Sequence, residues 1–271
     1  MDTFVYKDHK KLRCGYTTGT CAAIAAQGAV RFLLTGSWKE TEEIMTPKGI
    51  PVCVSLEEKT SGDSWAECAV RKDAGDDYDV TNGILVYARA EFVKDKNFYE
   101  KVQMSHLESS GFGVAGEKPG LSPENQKQQK KANVAHQKEA LPESLVRIDG
   151  GIGIGRITKS GLDQPIGAAA INSVPRKMIR DAVYELLEEA GELRLVSITI
   201  SVPAGVEAAK KTFNPVLGIE GGISVLGTSG IVEPMSSQAL LDTIYVELKQ
   251  KREEGHRFAA ISPGNYGLEY M

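Results

Sequence analysis

The chain has 271 residues, of which 41% are hydrophobic and 25% are charged, and its formal net charge at pH 7 is −4. Its length allows one large domain or two ordinary ones. The charge balance argues against a nucleic-acid-binding surface and against attraction to an anionic membrane. The sequence has no apolar run long enough to span a membrane, and its first residues lack a signal-peptide core. We therefore expect a cytoplasmic globular protein.

Cysteine and histidine usage predicts no metal site. The four histidines are scattered, and the four cysteines fall within the first quarter of the chain at spacings that match no zinc-binding pattern. We expect these thiols to be reduced. Cys21 falls in the first turn of a predicted helix, where the helix dipole would lower the pKa of its thiol. A small buried cysteine without reactivity is the alternative interpretation.

Glycine and threonine dominate the first distinctive block, LRCGYTTGTCAAIAA. Thr20 is a good N-cap for a helix over residues 21–34, and Gly36 is typical of a helix end. The first turns of this helix are nearly all alanine, which lets another backbone or a flat ligand approach closely.

An acidic block, KDAGDDYDVTNG, lies between two predicted strands at residues 65–71 and 84–93, and a predicted hairpin through residues 47–49 precedes both. Its four carboxylates have a spacing unlike that of an EF-hand loop: Asp73, Asp76, Asp77 and Asp79. Asp and Gly together mark turns, so a solvated turn is one interpretation. A site at which a carboxylate binds a cation, a ribose hydroxyl or a proton is the other.

Residues 94–144 differ in composition from the rest of the chain. Much of this stretch is rich in Lys, Gln and Pro and has little apolar surface to bury. We predict a polar excursion from the main domain, mobile or weakly helical, with no role in chemistry.

A second glycine-rich block, GGIGIGRITKSGLDQPIGAAAINSVPRKMI, follows a predicted strand at residues 145–149. It lacks the G-x-G-x-x-G spacing of a dinucleotide-binding turn, and the sequence has no G-K-[ST] phosphate loop, which argues against a small-molecule kinase. Four cations flank this flexible backbone: Arg156, Lys159, Arg176 and Lys177. They suit a ligand with several carboxylates. Solvent-exposed charge beside a turn is the alternative.

A third glycine-rich stretch, TFNPVLGIEGGISVLGTSGIVEPMS at residues 212–236, contains no Lys or Arg. We treat it as the stretch around which the rest of the chain is organised. A strand at residues 222–227, a loop at residues 227–230 and a helix that opens near Ser236 would direct loop amides and hydroxyls at a small anionic or polar group. A tight strand-to-helix connection without a ligand is the alternative.

Hydrophobic periodicity predicts the remaining elements. Residues 195–202 alternate strictly, which predicts a strand with these side chains inward: Val196, Ile198, Ile200 and Val202. Helices are predicted at about residues 173–190, 206–211 and 237–254, and Gly191 is predicted to end the first of them. A last strand at residues 257–261 enters SPGNYG, as at the start of a doubly wound nucleotide-binding domain.

Together, these blocks resemble the CbiD-type family of the anaerobic cobalamin pathway, the cobalt-precorrin-5B (C1)-methyltransferases. The resemblance rests on LRCGYTTGTCAAIAA, KDAGDDYDVTNG, GGIGIGRITKSGL with AAINSVPRKMI, the stretch at residues 212–236, and SPGNYG. It runs from Leu12 to Gly267 and leaves out residues 94–144. The sequence departs from the family in the length of that excursion and at Tyr78, where the family usually has Pro.

The resemblance implies transfer of a methyl group from S-adenosylmethionine to ring carbon 1 of cobalt-precorrin-5B, which gives cobalt-precorrin-6A. It also implies an α+β fold, with a layered sheet-and-helix main domain at residues 1–235. A linking helix and the first strand of a Rossmann-like α/β domain follow at residues 236–271. Family members continue well past SPGNYG, so we expect this second domain to be incomplete. A separate C-terminal segment or self-association is left open as a partner, and a non-catalytic tetrapyrrole-binding protein is the alternative function.

The implied reaction assigns roles to the candidate residues. The macrocycle bears many carboxylates, and we expect these loop amides and cations to bind them: Gly15, Thr17, Thr18, Gly19, Thr20, Gly151, Gly153, Gly155, Arg156, Lys159, Arg176 and Lys177. Asp73 or Asp77 is the predicted catalytic group, which takes a proton or stabilises charge near the sulfonium. By topology, these residues are predicted to bind the cofactor: Gly227, Thr228, Ser229, Gly230, Gly264 and Asn265.

Overall fold

The structure is a computed structural model and describes residues 3–93 and 145–258. The predicted excursion at residues 94–144 and the SPGNYG block lie outside these ranges, as do the candidate residues Gly264 and Asn265. The described residues form a mixed α+β fold, as predicted.

A five-stranded sheet forms the centre of the fold. Its strands, in spatial order, are β6 (Glu57–Ser61), β7 (Trp65–Arg71), β8 (Leu85–Phe92), β12 (Val196–Ser201) and β9 (Val146–Gly150). The first four are antiparallel neighbours, whereas β9 runs parallel to β12. The predicted alternation is confirmed, because Val196, Ile198 and Ile200 are fully buried. Their side chains line one face of the sheet, as the two-residue period of a strand requires.

Two long helices pack against each other and cover this face of the sheet. Helix α1 (Thr18–Thr35) is almost entirely buried over its first half, and α2 (Ser173–Ala190) buries a stripe that includes Ile179, Val183 and Leu187. The N-cap of α1 is Thr17, not Thr20, because the Thr17 hydroxyl accepts the Thr20 N–H. Gly36 and Gly191 end the two helices in the left-handed conformation, as predicted.

Short strand pairs join segments that are distant in sequence. The antiparallel pairs are β1 (Phe4–Lys7) with β2 (Lys10–Arg13), β4 (Thr41–Met45) with β5 (Pro51–Ser55), β3 (Gly15–Tyr16) with β15 (Ile231–Val232), and β11 (Arg156–Ile157) with β13 (Ile219–Glu220). One parallel pair joins β10 (Gly153–Ile154) to β14 (Gly222–Ile223). The β4–β5 pair confirms the predicted hairpin, whereas the strand predicted at residues 222–227 is only two residues long. The short helix α3 spans Gly205–Ala209.

The last described helix, α4 (Ser237–Glu253), packs on the body through a polar side chain. Gln250 is 2% exposed and donates a 2.8 Å hydrogen bond to the Leu217 carbonyl. On the opposite face, Leu241 and Tyr245 are 58% and 68% exposed. The helix therefore turns its apolar stripe away from the described body. None of the helices in residues 3–93 and 145–258 combines the length and apolarity needed to cross a membrane.

Candidate functional site

We call residues 222–232 the connecting segment. The first residues of this segment contact the second glycine-rich block. Its β14 strand pairs with β10, and the Ile223 carbonyl accepts the Gly155 N–H at 2.9 Å. Val225 then bonds to the entry of α2, since its N–H donates to the Ala170 carbonyl and its carbonyl accepts the Asn172 N–H. We call this set of contacts, with residues 149–156 and 169–180, the α2 junction.

The same segment goes on to contact the first block. The Leu226 carbonyl accepts the Gly19 N–H at 2.9 Å, and the Gly230 carbonyl accepts both the Thr17 N–H at 3.1 Å and the Thr20 hydroxyl at 2.7 Å. Strand β15 then pairs with β3. We call these contacts, with residues 13–20 and 72–79, the α1 junction. The three glycine-rich blocks, which are far apart in sequence, therefore meet along one continuous segment.

Glycine is required at both junctions by the protein's own packing. At Gly227, where φ is +140°, a Cβ would lie 2.2 Å from Thr17 Oγ1. At Gly153, where φ is +75°, a Cβ would lie 1.7 Å from the Val202 carbonyl oxygen. Neither position accepts a side chain, because carbon atoms do not approach other heavy atoms so closely. Close backbone packing within the protein therefore explains the glycines at these two positions without a bound ligand.

Many backbone amides of the predicted substrate loops are already used within the protein. The N–H groups of Thr17, Gly19 and Thr20 donate to protein acceptors. In the second block, the Gly151 and Gly155 N–H groups donate to the carbonyls of strand residues. A ligand could not receive these bonds without breaking internal ones, so side-chain cations are better placed to bind its carboxylates.

Asp73, one of the two predicted catalytic carboxylates, is held by a cation. Arg13 binds it in a bidentate manner at 2.5 and 2.8 Å, and the Gly75 N–H donates to Asp73 Oδ1 at 2.8 Å. The hydrogen bonds from Arg13 outweigh partial burial and lower the pKa of Asp73. A carboxylate that is stabilised in its ionised form is a weak proton acceptor. Asp73 is therefore better suited to hold the loop than to act as a base.

Asp77, the other predicted catalytic carboxylate, is less committed. It is partly exposed, and its Oδ1 accepts a 3.2 Å hydrogen bond from the Met235 N–H. Within residues 3–93 and 145–258, it forms no ion pair with a Lys or Arg. Of the two carboxylates, Asp77 has the free acceptor capacity that binding or proton transfer needs.

A buried ion pair that the sequence analysis missed anchors the acidic loop. Lys72 is 2% exposed and pairs with Asp79, whose Oδ1 also accepts the N–H and hydroxyl of Thr81. Burial acts to raise the pKa of Asp79, but the Lys72 charge and the hydrogen bonds from Lys72 and Thr81 outweigh it, and the pKa is lowered. Alternation along β7 could have revealed Lys72, since Ala66, Cys68 and Val70 are buried at the preceding alternate positions.

Cys21 lies in the first turn of α1, as predicted, and is fully buried. Burial raises the pKa of its thiol to about 12. This supports the interpretation as a small buried core residue, because a protonated thiol is a poor nucleophile. Residues 3–93 and 145–258 hold no group of His, Cys, Asp or Glu side chains arranged to bind a metal ion.

Of the four cations predicted to bind substrate, three belong to the α2 junction and Lys159 lies three residues beyond its first range; each already has a partner. Arg156 binds Asp149 in a bidentate manner at 2.6 and 3.0 Å. Lys159 donates to the Val216 carbonyl at 3.1 Å. Lys177 is exposed and pairs with Asp181 at 2.6 Å.

Arg176, the fourth cation, is half-buried and donates to three backbone carbonyls. Its acceptors are the carbonyls of Ile171, Ile148 and Ala169, at 2.8, 2.9 and 3.3 Å. These bonds join the start of α2 to the edge strand β9 and to the loop before the helix. Arg176 therefore has a clear structural role in addition to the predicted one.

The candidate cofactor loop at residues 227–230 is partly structural. The Ser229 hydroxyl donates to the Ile231 carbonyl at 2.9 Å, and the Ser229 carbonyl accepts the Lys48 N–H. Thr228 is exposed, and its amide donates no hydrogen bond in the described part of the chain. Only the exposed start of this loop offers groups to a bound molecule.

Comparison with known proteins shows which family the chain resembles. The family model CbiD matches residues 5–128 and 125–234. A cobalt-precorrin-5B C(1)-methyltransferase from Thermoanaerobacter sp. (strain X514) is 40% identical over all of this chain and 60% of its own length. The protein of the same name from Clostridioides difficile (strain 630) is 39% identical over all of this chain and 62% of its own.

A solved structure is also similar. The crystal structure of the cobalamin biosynthesis protein CbiD from Archaeoglobus fulgidus superposes with a TM-score of 0.52 and is 28% identical, covering 90% of this chain and 62% of its own. The chain thus spans roughly three fifths of the length of these relatives. The family match extends over most of the chain and includes both junctions, and the chain belongs to the CbiD family.

Proposed function

We propose that the chain takes part in methyl transfer from S-adenosylmethionine to carbon 1 of cobalt-precorrin-5B, giving cobalt-precorrin-6A in cobalamin biosynthesis. The observation that carries this proposal is the similarity, at about two residues in five, between the whole chain and relatives that bear the name of this activity. Because those relatives are longer, the activity of the present chain is part of the proposal. A cytoplasmic location belongs to it as well.

The chemistry asks for positioning more than for covalent catalysis. Bound S-adenosylmethionine would supply an electrophilic methyl group on a sulfonium. In favourable cases, holding two reactants in the right geometry contributes roughly 7–11 kcal/mol to rate acceleration. The connecting segment is suited to this task, because backbone hydrogen bonds tie it to both helix starts, and Met235, three residues beyond it, donates its N–H to Asp77 in the acidic loop.

Within this proposal, the two aspartates have different roles. Asp77 is the group that takes a proton from the macrocycle or stabilises charge near the sulfonium, since its carboxylate has no cationic partner among the described residues. Asp73 positions the loop through Arg13. The half-buried Gly227 and the exposed Thr228 fit a small polar part of the methyl donor, and the cations near the α2 junction fit the carboxylates of the macrocycle.

The Rossmann-like continuation after residue 235 is also a proposal. It is supported by the exposed apolar stripe of α4 and by the relatives' additional length. We infer that, in the longer family members, a further folded unit packs against the positions that correspond to Leu241 and Tyr245. Residues 257 and 258, the described start of the predicted last strand, have no regular structure, and the rest of that strand lies outside the described residues.

A direct test is to incubate the chain with cobalt-precorrin-5B and methyl-labelled S-adenosylmethionine. A parallel sample receives the part of the Thermoanaerobacter relative that this chain does not span, expressed separately. Label in the macrocycle in either sample supports methyl transfer. Macrocycle binding without label in both samples would instead favour the alternative, a non-catalytic tetrapyrrole-binding protein.

The same assay separates the roles of the aspartates. Asp77→Asn should lower the methylation rate at least roughly a hundredfold if the carboxylate acts as an acid–base group. The matched control is Asp63→Asn, which changes an exposed carboxylate in the turn between β6 and β7. An Asp77→Asn variant as active as this control would remove Asp77 from the mechanism.

A further inference from the structure

Helix α2 carries two arginines one turn apart, Arg176 and Arg180, and neither forms an ion pair with a carboxylate of the described residues. Burial is the main cause of the lowered pKa of Arg176, and repulsion from the positive charge of Arg180 is the next largest. Asp149 and Asp163 are near enough to act in the opposite direction. Each of them already has partners, however, since Asp149 binds Arg156 and Asp163 accepts from the N–H and hydroxyl of Ser173.

Arg180 differs from Arg156, Arg176 and Lys177 because its guanidinium group has no hydrogen bond or ion pair with the described residues. Its Nε is buried and has no hydrogen-bond partner, and it forms no ion pair with the described residues. Arg156 and Lys177, by contrast, are each paired with a carboxylate, and Arg176 is bonded to three carbonyls. Arg180 can therefore turn toward a ligand without breaking a bond.

An arrangement of this kind is costly in the absence of a ligand. A buried N–H without an acceptor is destabilising, and a second positive charge one helical turn away adds to the cost. A carboxylate would relieve both effects, because its two oxygens match two N–H groups of a guanidinium in a bidentate pair. The neighbouring Arg176 would add to the attraction through its charge while its own hydrogen bonds stay in place.

We propose that Arg180, supported by Arg176, is a binding residue for a carboxylate of the tetrapyrrole substrate. This inference rests on the proposed function for the identity of the ligand. It adds a residue that the sequence motifs did not indicate. Arg180 would be the residue that contacts the carboxylate, and Arg176 the residue that fixes the start of α2 beside it.

The experiment uses uroporphyrin III, an octacarboxylate tetrapyrrole, as the probe and measures its binding by fluorescence and its effect on thermal unfolding. The variants are Arg180→Met, Arg180→Lys and, as a control, Lys210→Met, which removes an exposed cation just after α3 that is paired with Glu207. We expect Arg180→Met to weaken binding at least roughly tenfold, Arg180→Lys to weaken it less, and the control to bind like the unaltered chain. High salt should reduce the difference between Arg180→Met and the unaltered chain.

Thermal stability separates a binding role from a structural one. Arg180→Met removes an unpartnered N–H and a like-charge repulsion, so it should leave the melting temperature unchanged or raise it. Arg176→Met removes three hydrogen bonds and should lower it. A lower melting temperature for Arg180→Met would show that Arg180 already has a structural partner and would overturn the proposal.

The binding results distinguish this inference from the proposed function. If the unaltered chain and Arg180→Met bind uroporphyrin III equally well, the role of Arg180 is wrong, whereas a tetrapyrrole-binding function stands. If the unaltered chain does not bind the probe, the inference also fails. The methylation assay with cobalt-precorrin-5B then decides the proposed function independently.

Discussion

The α1 and α2 junctions are built alike and differ in charge. Both join a helix start to the connecting segment through close backbone contacts that require glycine. At the α1 junction, Asp73 is paired with Arg13, and Asp79 is paired with Lys72. At the α2 junction, Arg176 and Arg180 have no carboxylate of their own among the described residues. The glycines therefore indicate where backbone segments pack closely, whereas positive charges without a carboxylate partner indicate where an anionic ligand can bind.

The largest expected effect comes from breaking the shared construction at Gly153. In Gly153→Ala, the new Cβ would lie 1.7 Å from the Val202 carbonyl oxygen on a backbone with φ of +75°. Overpacking costs about 1–3 kcal/mol in ordinary cores, and here a backbone atom would have to move and the left-handed conformation adds its own cost. We expect little folded protein, as measured by circular dichroism and urea unfolding.

Gly167→Ala is the matched control for this prediction. Gly167 has a similar φ of +87°, but a Cβ there would meet no atom within 4 Å. The expected loss is only about 1–2 kcal/mol, which is the cost of a left-handed conformation for a residue with a Cβ. If the two variants were equally stable, the close approach of β10 to Val202 would not be essential to the α2 junction.

The next largest effect concerns the buried pair at the α1 junction. Lys72→Met leaves the Asp79 carboxylate partly buried without its cation, and breaking a buried pair in this way typically costs about 3–5 kcal/mol. The double variant Lys72→Met with Asp79→Leu removes both charges and should recover part of that loss. Urea unfolding of the two variants measures the difference. A double variant less stable than Lys72→Met alone would contradict the importance of charge matching here.

Much of this fold could be predicted from local sequence patterns. The alternation in residues 195–202 predicted the buried side chains of β12, and Gly36 and Gly191 predicted where α1 and α2 end. These features depend on neighbours within a few residues, where side-chain period and backbone conformation dominate. The family resemblance, which rests on the glycine-rich and acidic blocks, was confirmed as well.

Charge partners could not be predicted in the same way. Arg13 and Asp73 are 60 residues apart in sequence, and nothing in the local pattern indicates that they form an ion pair. Asp73 and Asp77 therefore looked equivalent in sequence, although one is committed to Arg13 and the other is not. The lack of a partner at Arg180 is likewise a property of the folded chain, since it depends on which carboxylates the other elements have already used.

The charge matching at the α1 junction also predicts a pH dependence. The pKa of Asp73 is lowered by the hydrogen bonds from Arg13, so its pairing stabilises the folded state above the unfolded pKa of about 3.9. That contribution is lost as the pH falls through the lower pKa of the folded state. The pair is more than one third exposed, so we expect Asp73→Asn to cost at most about 1 kcal/mol near neutral pH. The difference in unfolding free energy between the unaltered chain and Asp73→Asn should shrink below about pH 4. A difference that grows on acidification would contradict the pairing.

The smallest expected effect tests whether Cys21, which directly follows the α1 junction in sequence, is a reactive nucleophile. Burial raises the pKa of the Cys21 thiol to about 12, so almost none of it is thiolate at about pH 8, whereas Cys53 is exposed on β5. Iodoacetamide should therefore label Cys53 in the folded chain and label Cys21 only after denaturation, as read by mass spectrometry of peptides. Cys53→Ser should abolish labelling of the folded protein with little change in stability, because the side chain is exposed. Labelling of Cys21 at a rate comparable to that of Cys53 would instead mean that the start of α1 opens to solvent. The contacts of Thr17 and Thr20 with the connecting segment would then not be persistent. In that case, the α1 junction would be too flexible to position a ligand.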